Sequence, residues 1–176
     1  DAAFADLVAG DLDVLPVSGL QLNSTALPED VSHSWNSGTN MHAIFINSSA
    51  EILSDKSART SLAMNIARKE LLSQLHSTNI GLQLKPSLSW IPPSVWGTSE
   101  GKFMELAGTS LLAADSWYVA GGSDGSTIEL LYSEDDPIQV ALAPLLETFW
   151  ETELPVDVVL RAERKEEYYA DMVAGA

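Results

Sequence analysis

The stretch TIELLYSEDDPIQVALAPLLETFWETELPVDVVLRA, residues 127–162, holds a strand, an acidic turn, a helix and a second strand in direct succession. Asp136 comes before Pro137, and an aspartate followed by a proline is a well-formed helix start. Within the helix, Ile138, Leu142 and Phe149 lie on one apolar stripe. Strand, helix and strand in this order predict a right-handed parallel crossover, and hence an α/β domain.

On the amino-terminal side, apolar runs and end signals predict further elements. Residues 2–9 predict a helix closed by Gly10, followed by a short strand over 11–15. The continuous apolar run at 41–47 is shorter than a typical helix and predicts a buried strand. Ser54 or Asp55 can cap the helix after it, which we expect to reach Leu75 and to be buried on more than one side.

The remaining segments are predicted from turn residues and proline content. Residues 20–40 and the proline-rich stretch 85–101 predict loops. Residues 103–114 predict a short helix, the glycine-rich residues 121–126 a turn, and a last helix begins at about Glu166.

The two ends of the chain carry similar sequences. ADLVAG at 5–10 is echoed by ADMVAG at 170–175, in each case a helix closing on glycine. We therefore expect a piece of a longer protein; the alternative is chance recurrence in an alanine-rich sequence.

Composition limits the class of protein. The chain has 176 residues, 45% of them hydrophobic, which suits one domain with a proper core. Its net charge of −16 repels phosphate backbones and anionic lipid surfaces, so nucleic acid is a poor partner. Cysteine is absent, which excludes disulfides and thiolate metal sites.

No pattern in the chain predicts catalysis, a cofactor or a metal. His33, His42 and His76 are scattered and lack metal-ligand spacing. The acidic residues 133–136 lack the alternating donors and central glycine of a calcium loop, and helix capping accounts for them. A nucleophile elbow, a phosphate-binding loop and a dinucleotide fingerprint are all absent from the sequence. We therefore expect no enzyme activity.

The five tryptophans allow two interpretations, since they could line a ligand cleft or fix loops to the core. We favour the core for each of them, and for Trp150 at the end of an amphipathic helix above all. Their positions are 35, 90, 96, 117 and 150.

The order of these segments resembles the second, carboxyl-terminal lobe of solute-binding protein family 5, the oligopeptide, dipeptide and nickel class that serves ABC importers. LVAGDLDVLP at 7–16 is similar to the family's helix, glycine and acidic strand. IFINSSAEILSDKSARTSLAMNIARKELL at 44–72 is similar to its apolar strand ending in asparagine and the helix that follows. LSWIPPSVWG at 88–97 lies where the family has a proline-rich loop, and residues 127–160 match its strand, helix and strand.

The resemblance implies a periplasmic-binding-protein type II fold, with a mixed sheet flanked by helices. Residues 1–176 then form a single domain, part of the carboxyl-terminal lobe of a larger two-lobed protein. Arg59 and Arg68 match the family's two helix arginines, and we interpret both as architectural, with guanidinium groups able to pair with nearby acids. Ala67 replaces the family's aspartate, and Pro144 predicts a kink in its helix.

Ligand contacts in such proteins lie on loops and helix starts that face the cleft between the lobes. The matching positions are the turn and first helical turn after residues 127–133, with weaker candidates at the start of the apolar strand. The predicted ligand-binding residues are Ser133, Glu134, Asp135 and Gln139, then Asn40 and His42.

The expected function is ligand binding for an ABC importer, for peptides or another small polar solute, without chemical change. The implied partners are the ligand, the first lobe of the same chain and the membrane permease. The implied location is extracytoplasmic, periplasmic or as a cell-surface lipoprotein. The alternative is an envelope lipoprotein that kept the fold and binds or regulates a glycolipid of the phosphoinositide mannoside type.

Overall fold

Strands and helices alternate through the carboxyl-terminal half of the protein. The computed structural model describes residues 2–16, 31–32, 34, 38–77, 84–87, 91–92, 95 and 110–175. In chain order, these residues form α1 (Ala2–Ala9), a 3-10 turn (Ile52–Ser54), α2 (Lys56–Met64), α3 (Arg68–Ser77), α4 (Ser110–Val119), β1 (Ser126–Ser133), α5 (Pro137–Glu153), β2 (Val156–Glu163) and α6 (Lys165–Ala174).

The two described strands pair in parallel, as the crossover predicted. The register runs from Ser126 opposite Val156 to Ser133 opposite Glu163. Helix α5 connects the strands and packs on both of them, and α6 packs on β1. The predicted α/β class, with helices flanking the sheet, is confirmed.

One apolar core joins the sheet to the amino-terminal helices. Helix α4 packs on α2, and α3 packs on α5. Trp117 is fully buried and Trp150 is 3% exposed, so the core interpretation of these two tryptophans is confirmed. The core cluster consists of Ala58, Leu62, Leu71, Trp117, Ile128, Leu146, Trp150, Leu154, Val156 and Val158.

The helix caps lie at residues that the sequence predicts. Asp136 caps α5, and the Asp55 side chain accepts the Ser57 N–H at the start of α2, as predicted. Gly10 and Gly175 follow α1 and α6 in the left-handed conformation, with φ of 80° and 83°, where a side chain is disfavoured. The predicted turn at 121–126 is also present, with positive φ at two of its glycines.

The prediction of one long helix up to Leu75 is wrong, because the helix breaks after Met64. Asn65 donates its backbone N–H to the Ser61 carbonyl, and the next helix begins at Arg68. In an unbroken helix, Leu62 and Leu71 would lie on different faces. The break lets both side chains enter the same core cluster.

Two predicted strands are absent. Residues 11–15 and 41–47 have no strand conformation, and within the second run Phe45 is 73% exposed. Apolar composition favours burial, but a strand also needs a neighbour to pair with, which a local run does not specify. Instead, the Asn47 side chain donates a hydrogen bond to the Gly175 carbonyl after α6.

Arg59 is architectural, as predicted, although its partners are carbonyls. Its Nη1 donates to the carbonyl oxygens of Leu53 and Ser54, both at 2.8 Å, and so ties α2 to the 3-10 turn before it. The role of Arg68 stays a prediction. Helix α5 continues through Pro144, and the kink there also stays a prediction.

The remaining sequence predictions fall partly outside the described residues. The helix predicted over 103–114 corresponds to α4, whose described residues run from Ser110 to Val119. Most of the two predicted loops, 20–40 and 85–101, lies outside, as do His33 and the tryptophans at 35, 90 and 96.

Candidate functional site

The carboxyl ends of β1 and β2 meet at one edge of the sheet, because the strands are parallel. Ser133 and Glu163 are the last residues of the two strands and lie opposite each other. Helices α5 and α6 both begin just beyond this edge. In open α/β sheets, ligands bind in the crevice outside the carboxyl ends of the strands.

Two neighbouring aspartates cap these two helices. Asp136 Oδ1 accepts the N–H groups of Ile138 at 2.9 Å and Gln139 at 3.4 Å, at the start of α5. Asp135 Oδ2 accepts the backbone N–H of Lys165 at 2.8 Å, at the start of α6. The connection after β1 therefore satisfies unpaired donors of both helices.

The Gln139 side chain connects the strand end to the first cap. Its Oε1 accepts the Ser133 backbone N–H at 2.9 Å, and its Nε2 donates to Asp136 Oδ2 at 3.3 Å. Both ends of the amide are thereby used within the protein, which fixes its orientation.

Ser133 is the buried polar residue of this edge. It is 3% exposed, and its hydroxyl has no hydrogen-bond partner among the residues that the structure describes. Buried hydroxyl groups are normally hydrogen-bonded, so this one marks a position where a partner is expected.

An open pocket of about 190 Å³ lies over this edge. One wall comes from the end of β1 and the start of α5, and the other comes from α6. Its lining residues are Ser133, Asp135, Asp136, Pro137, Gln139, Lys165, Tyr168 and Tyr169.

Tyr168 and Tyr169 form the aromatic part of the α6 wall. Their rings meet edge to face, with centroids 5.3 Å apart. Burial raises the pKa of Tyr168 above its usual 10.0; the neighbouring Tyr169 and Asp136 raise it further, and a hydrogen bond with Gln139 opposes the shift. The Tyr168 phenol is therefore protonated at neutral pH.

Three of the predicted ligand-binding residues, Ser133, Asp135 and Gln139, line this pocket together. Glu134 lies beside it, where its carboxylate is 3.8 Å from Arg164 and its backbone N–H donates to the Glu163 carbonyl. Asn40 and His42 lie in an exposed segment and are not among the lining residues. Ligand contact by all six residues stays a prediction.

Comparison with known proteins supports the fold. No protein-family model matches the chain, and no curated protein matches its sequence. Among solved structures, the Escherichia coli murein tripeptide binding protein MppA matches with a TM-score of 0.61 and 21% identity, over 74% of this chain. The fold matches part of a solute-binding protein. The match covers 26% of the MppA chain, so the matched part of this protein spans about a quarter of its length.

Sequence reasoning missed the α6 wall of the pocket, that is Lys165, Tyr168 and Tyr169. The signal that points to it is topological. Two parallel strands, each followed by a helix, place both helix starts at one edge. A tyrosine pair near the start of the second helix was therefore a candidate from the sequence.

Neither a metal-binding cluster nor a membrane-spanning helix is present among the described residues. No group of three or more His, Asp or Glu side chains there is arranged to hold a metal ion. Within the same part of the chain, none of the helices has the length and apolar character needed to cross a membrane.

Proposed function

We propose that the chain is part of the second lobe of a two-lobed, extracytoplasmic substrate-binding protein of an ABC importer, and that it binds peptides or another small polar solute without changing them. The observation that carries this proposal is an open polar pocket at the carboxyl edge of the sheet, in a fold shared with a murein tripeptide binding protein.

The volume of the pocket supports a ligand site that is shared between this lobe and the first lobe. Complete small-molecule sites usually measure about 300–1,000 Å³ and bury most of their ligand. A pocket of about 190 Å³ that opens to solvent is large enough for one part of a ligand. The other part then contacts the first lobe, which closes over it as in hinged binding proteins.

The chemistry of the edge supports binding over catalysis. A serine nucleophile needs an adjacent base, and Ser133 has no hydrogen-bond partner in the described part of the chain. Asp135, Asp136 and Gln139 use their side chains to hold backbone groups and one another. Side chains held in this way make a rigid surface for a ligand.

The proposal also specifies the partners and the location of the protein. The first lobe of the same chain and a membrane permease are its protein partners, and its place is outside the cytoplasm. The net charge of −16 disfavours contact with nucleic acid and anionic lipid.

Native mass spectrometry of the longer parent protein, purified gently from its own host, tests the proposal. A ladder of short peptides, or one small polar solute, is the expected bound species. A bound glycolipid would instead favour the envelope lipoprotein alternative, and the importer assignment would fall.

Calorimetry on residues 1–176 tests the shared site separately. The isolated chain is expected to bind tri-alanine only weakly, because half of the contacts come from the other lobe. Submicromolar binding by this chain alone would contradict the two-lobe arrangement.

A further inference from the structure

Helix α6, which forms one wall of the pocket, has little apolar burial to hold it in place. It has 10 residues, and none of them is buried. An isolated helix shorter than about 12 residues is marginal in water, so α6 depends on its contacts with the rest of the protein. Polar contacts are therefore expected to decide where this wall of the pocket lies.

Polar contacts join α6 to the rest of the protein at its start, middle and end. At the start, Asp135 accepts the Lys165 backbone N–H. At the end, the Asn47 side chain donates to the carbonyl that directly follows the helix. In the middle, Asp171 pairs with the guanidinium group of Arg161 on β2. The first two contacts fix the ends of α6, and the third fixes one of its faces.

Arg161 joins both strands to α6 through its one guanidinium group. Its Nη1 donates to Glu129 Oε1 on β1 at 2.7 Å. Its Nη2 lies 2.9 Å from Glu163 Oε1 on β2 and also donates to Asp171 on α6. The Arg161 side chain is 32% exposed, so solvent screens these pairs less than pairs on an open surface. Hydrogen bonds between charged groups are strong, and the planar guanidinium fixes their directions.

Asp171 lies about one helical turn after Tyr168, on the same face of α6. Residues three apart are neighbours on a helix surface. The contact of Asp171 with Arg161 therefore fixes the rotation of α6 about its own axis. This rotation directs Tyr168 into the pocket, where it shares a hydrogen bond with Gln139 of the opposite wall.

We propose that Arg161 is a positioning residue of the pocket: through Asp171, it holds α6 in the rotation that keeps Tyr168 beside Gln139. Arg161 is not among the lining residues, so it acts on a ligand only through the helix. The inference rests on the proposed function, because the pocket matters to a ligand only if it is the binding site.

Nuclear Overhauser contacts measured on residues 1–176 test the position of α6 without a ligand. In the unchanged protein, they are expected between the Tyr168 ring and the Gln139 side-chain amide. Asp171→Ala removes the link from α6 to Arg161 and leaves the other two Arg161 pairs in place. The contacts should then be lost, because α6 can rotate. Arg161→Lys keeps the charge but lacks the planar fork, so it should weaken them.

Two controls separate positioning from general stability. Glu129→Gln removes the charge of another Arg161 partner but leaves Asp171 in place, so the contacts between the two walls should remain. Gly122→Ala overpacks the core at Trp117 and should lower stability while these contacts also remain. Their loss in Gly122→Ala would assign the effect to general stability and overturn the inference, and so would their persistence in Asp171→Ala.

A titration with tri-alanine connects the position of α6 to binding. Asp171→Ala is expected to weaken the affinity by about threefold, because a smaller fraction of the protein then has the α6 wall in place. Unchanged affinity in a variant that has lost the Tyr168 contacts would overturn the inference, since the α6 wall would not belong to the site. If the unchanged protein binds no tri-alanine at about 10 mM, the proposed peptide function fails, and the contacts between Tyr168 and Gln139 still decide whether Arg161 positions α6.

Discussion

Trp150 on α5 donates its indole N–H to the backbone carbonyl of Leu62 on α2, over 3.0 Å, and both residues are 3% exposed. Leu62 lies in the last turn of α2, where carbonyl groups have no partner within the helix. The bond therefore satisfies a carbonyl beside the break at Asn65 and joins residues 88 positions apart in the chain.

Replacing Trp150 by phenylalanine is expected to lower the free energy of unfolding by about 2 kcal/mol, because it removes this hydrogen bond and leaves unfilled volume in the core. Urea unfolding measures the change. Tyr118→Phe is the control, since it removes only an exposed bond to Asp124 and should change stability by less than about 0.5 kcal/mol. Equal losses in the two variants would show that the Trp150 bond contributes nothing.

Gly122 packs directly on the indole ring of Trp117. A Cβ atom at Gly122 would lie 2.3 Å from Trp117 Nε1, and Trp117 is fully buried. Gly122→Ala is therefore expected to destabilise the protein by about 1–3 kcal/mol through overpacking. Thermal unfolding measures the change.

The matched control for this substitution is Gly38→Ala. The nearest atom to a Cβ at Gly38 is Asn40 N, at 4.0 Å, so this change should be almost neutral. A Gly122→Ala variant as stable as Gly38→Ala would disprove the close packing of Gly122 on the indole.

Asp135 caps a helix that begins 30 residues later in the chain. Asp135→Ala is expected to cost about 1 kcal/mol of stability, the usual loss on removing a helix cap. Asp135→Asn should cost less, because its amide oxygen can still accept the Lys165 N–H. Urea unfolding of both variants measures the difference.

Glu134→Gln serves as the control for Asp135, since the Glu134 side chain makes an exposed ion pair of 3.8 Å with Arg164, and its replacement should change stability by less than about 0.5 kcal/mol. If Asp135→Ala is no less stable than Glu134→Gln, the hydrogen bond from the Lys165 N–H to Asp135 does not stabilise the protein.

The raised pKa of Tyr168 predicts a loss of stability in alkali. The folded protein keeps the Tyr168 proton at a pH where the unfolded chain releases it at its usual pKa of 10.0. The contribution of Tyr168 protonation to the free energy of unfolding is fully present below pH 10.0 and is lost as the pH rises through the folded-state pKa. From about pH 8 to about pH 11, the free energy of unfolding should decline less steeply for Tyr168→Phe than for the unchanged protein. Parallel curves for the two proteins would contradict this.

The unit from β1 to α6 could be predicted from the sequence because its signals act over a few residues. Asp136 before Pro137 marks the start of α5, and Gly175 marks the end of α6. Apolar residues at helical spacing place Leu142 and Phe149 against the core. Capping and periodicity depend on near neighbours, so they can be recognised without a structure.

The site could be predicted only in part. The first wall of the pocket follows β1 directly, and three of the predicted residues, Ser133, Asp135 and Gln139, line it. The other wall, with Tyr168, comes from α6, and its position depends on the pairing of β1 with β2. Asn40 and His42 were chosen on the expectation of a strand that the structure does not contain.

The sequence alone therefore determined the α/β class, the helix caps and the parallel unit, through interactions between near neighbours. Only the tertiary structure decided the break at Asn65, the exposure of residues 41–45 and the contribution of α6 to the pocket wall. These features depend on contacts between distant residues, such as Trp150 with Leu62 and Asp135 with Lys165. The free energy of such contacts depends on the whole packed core, which no local pattern specifies.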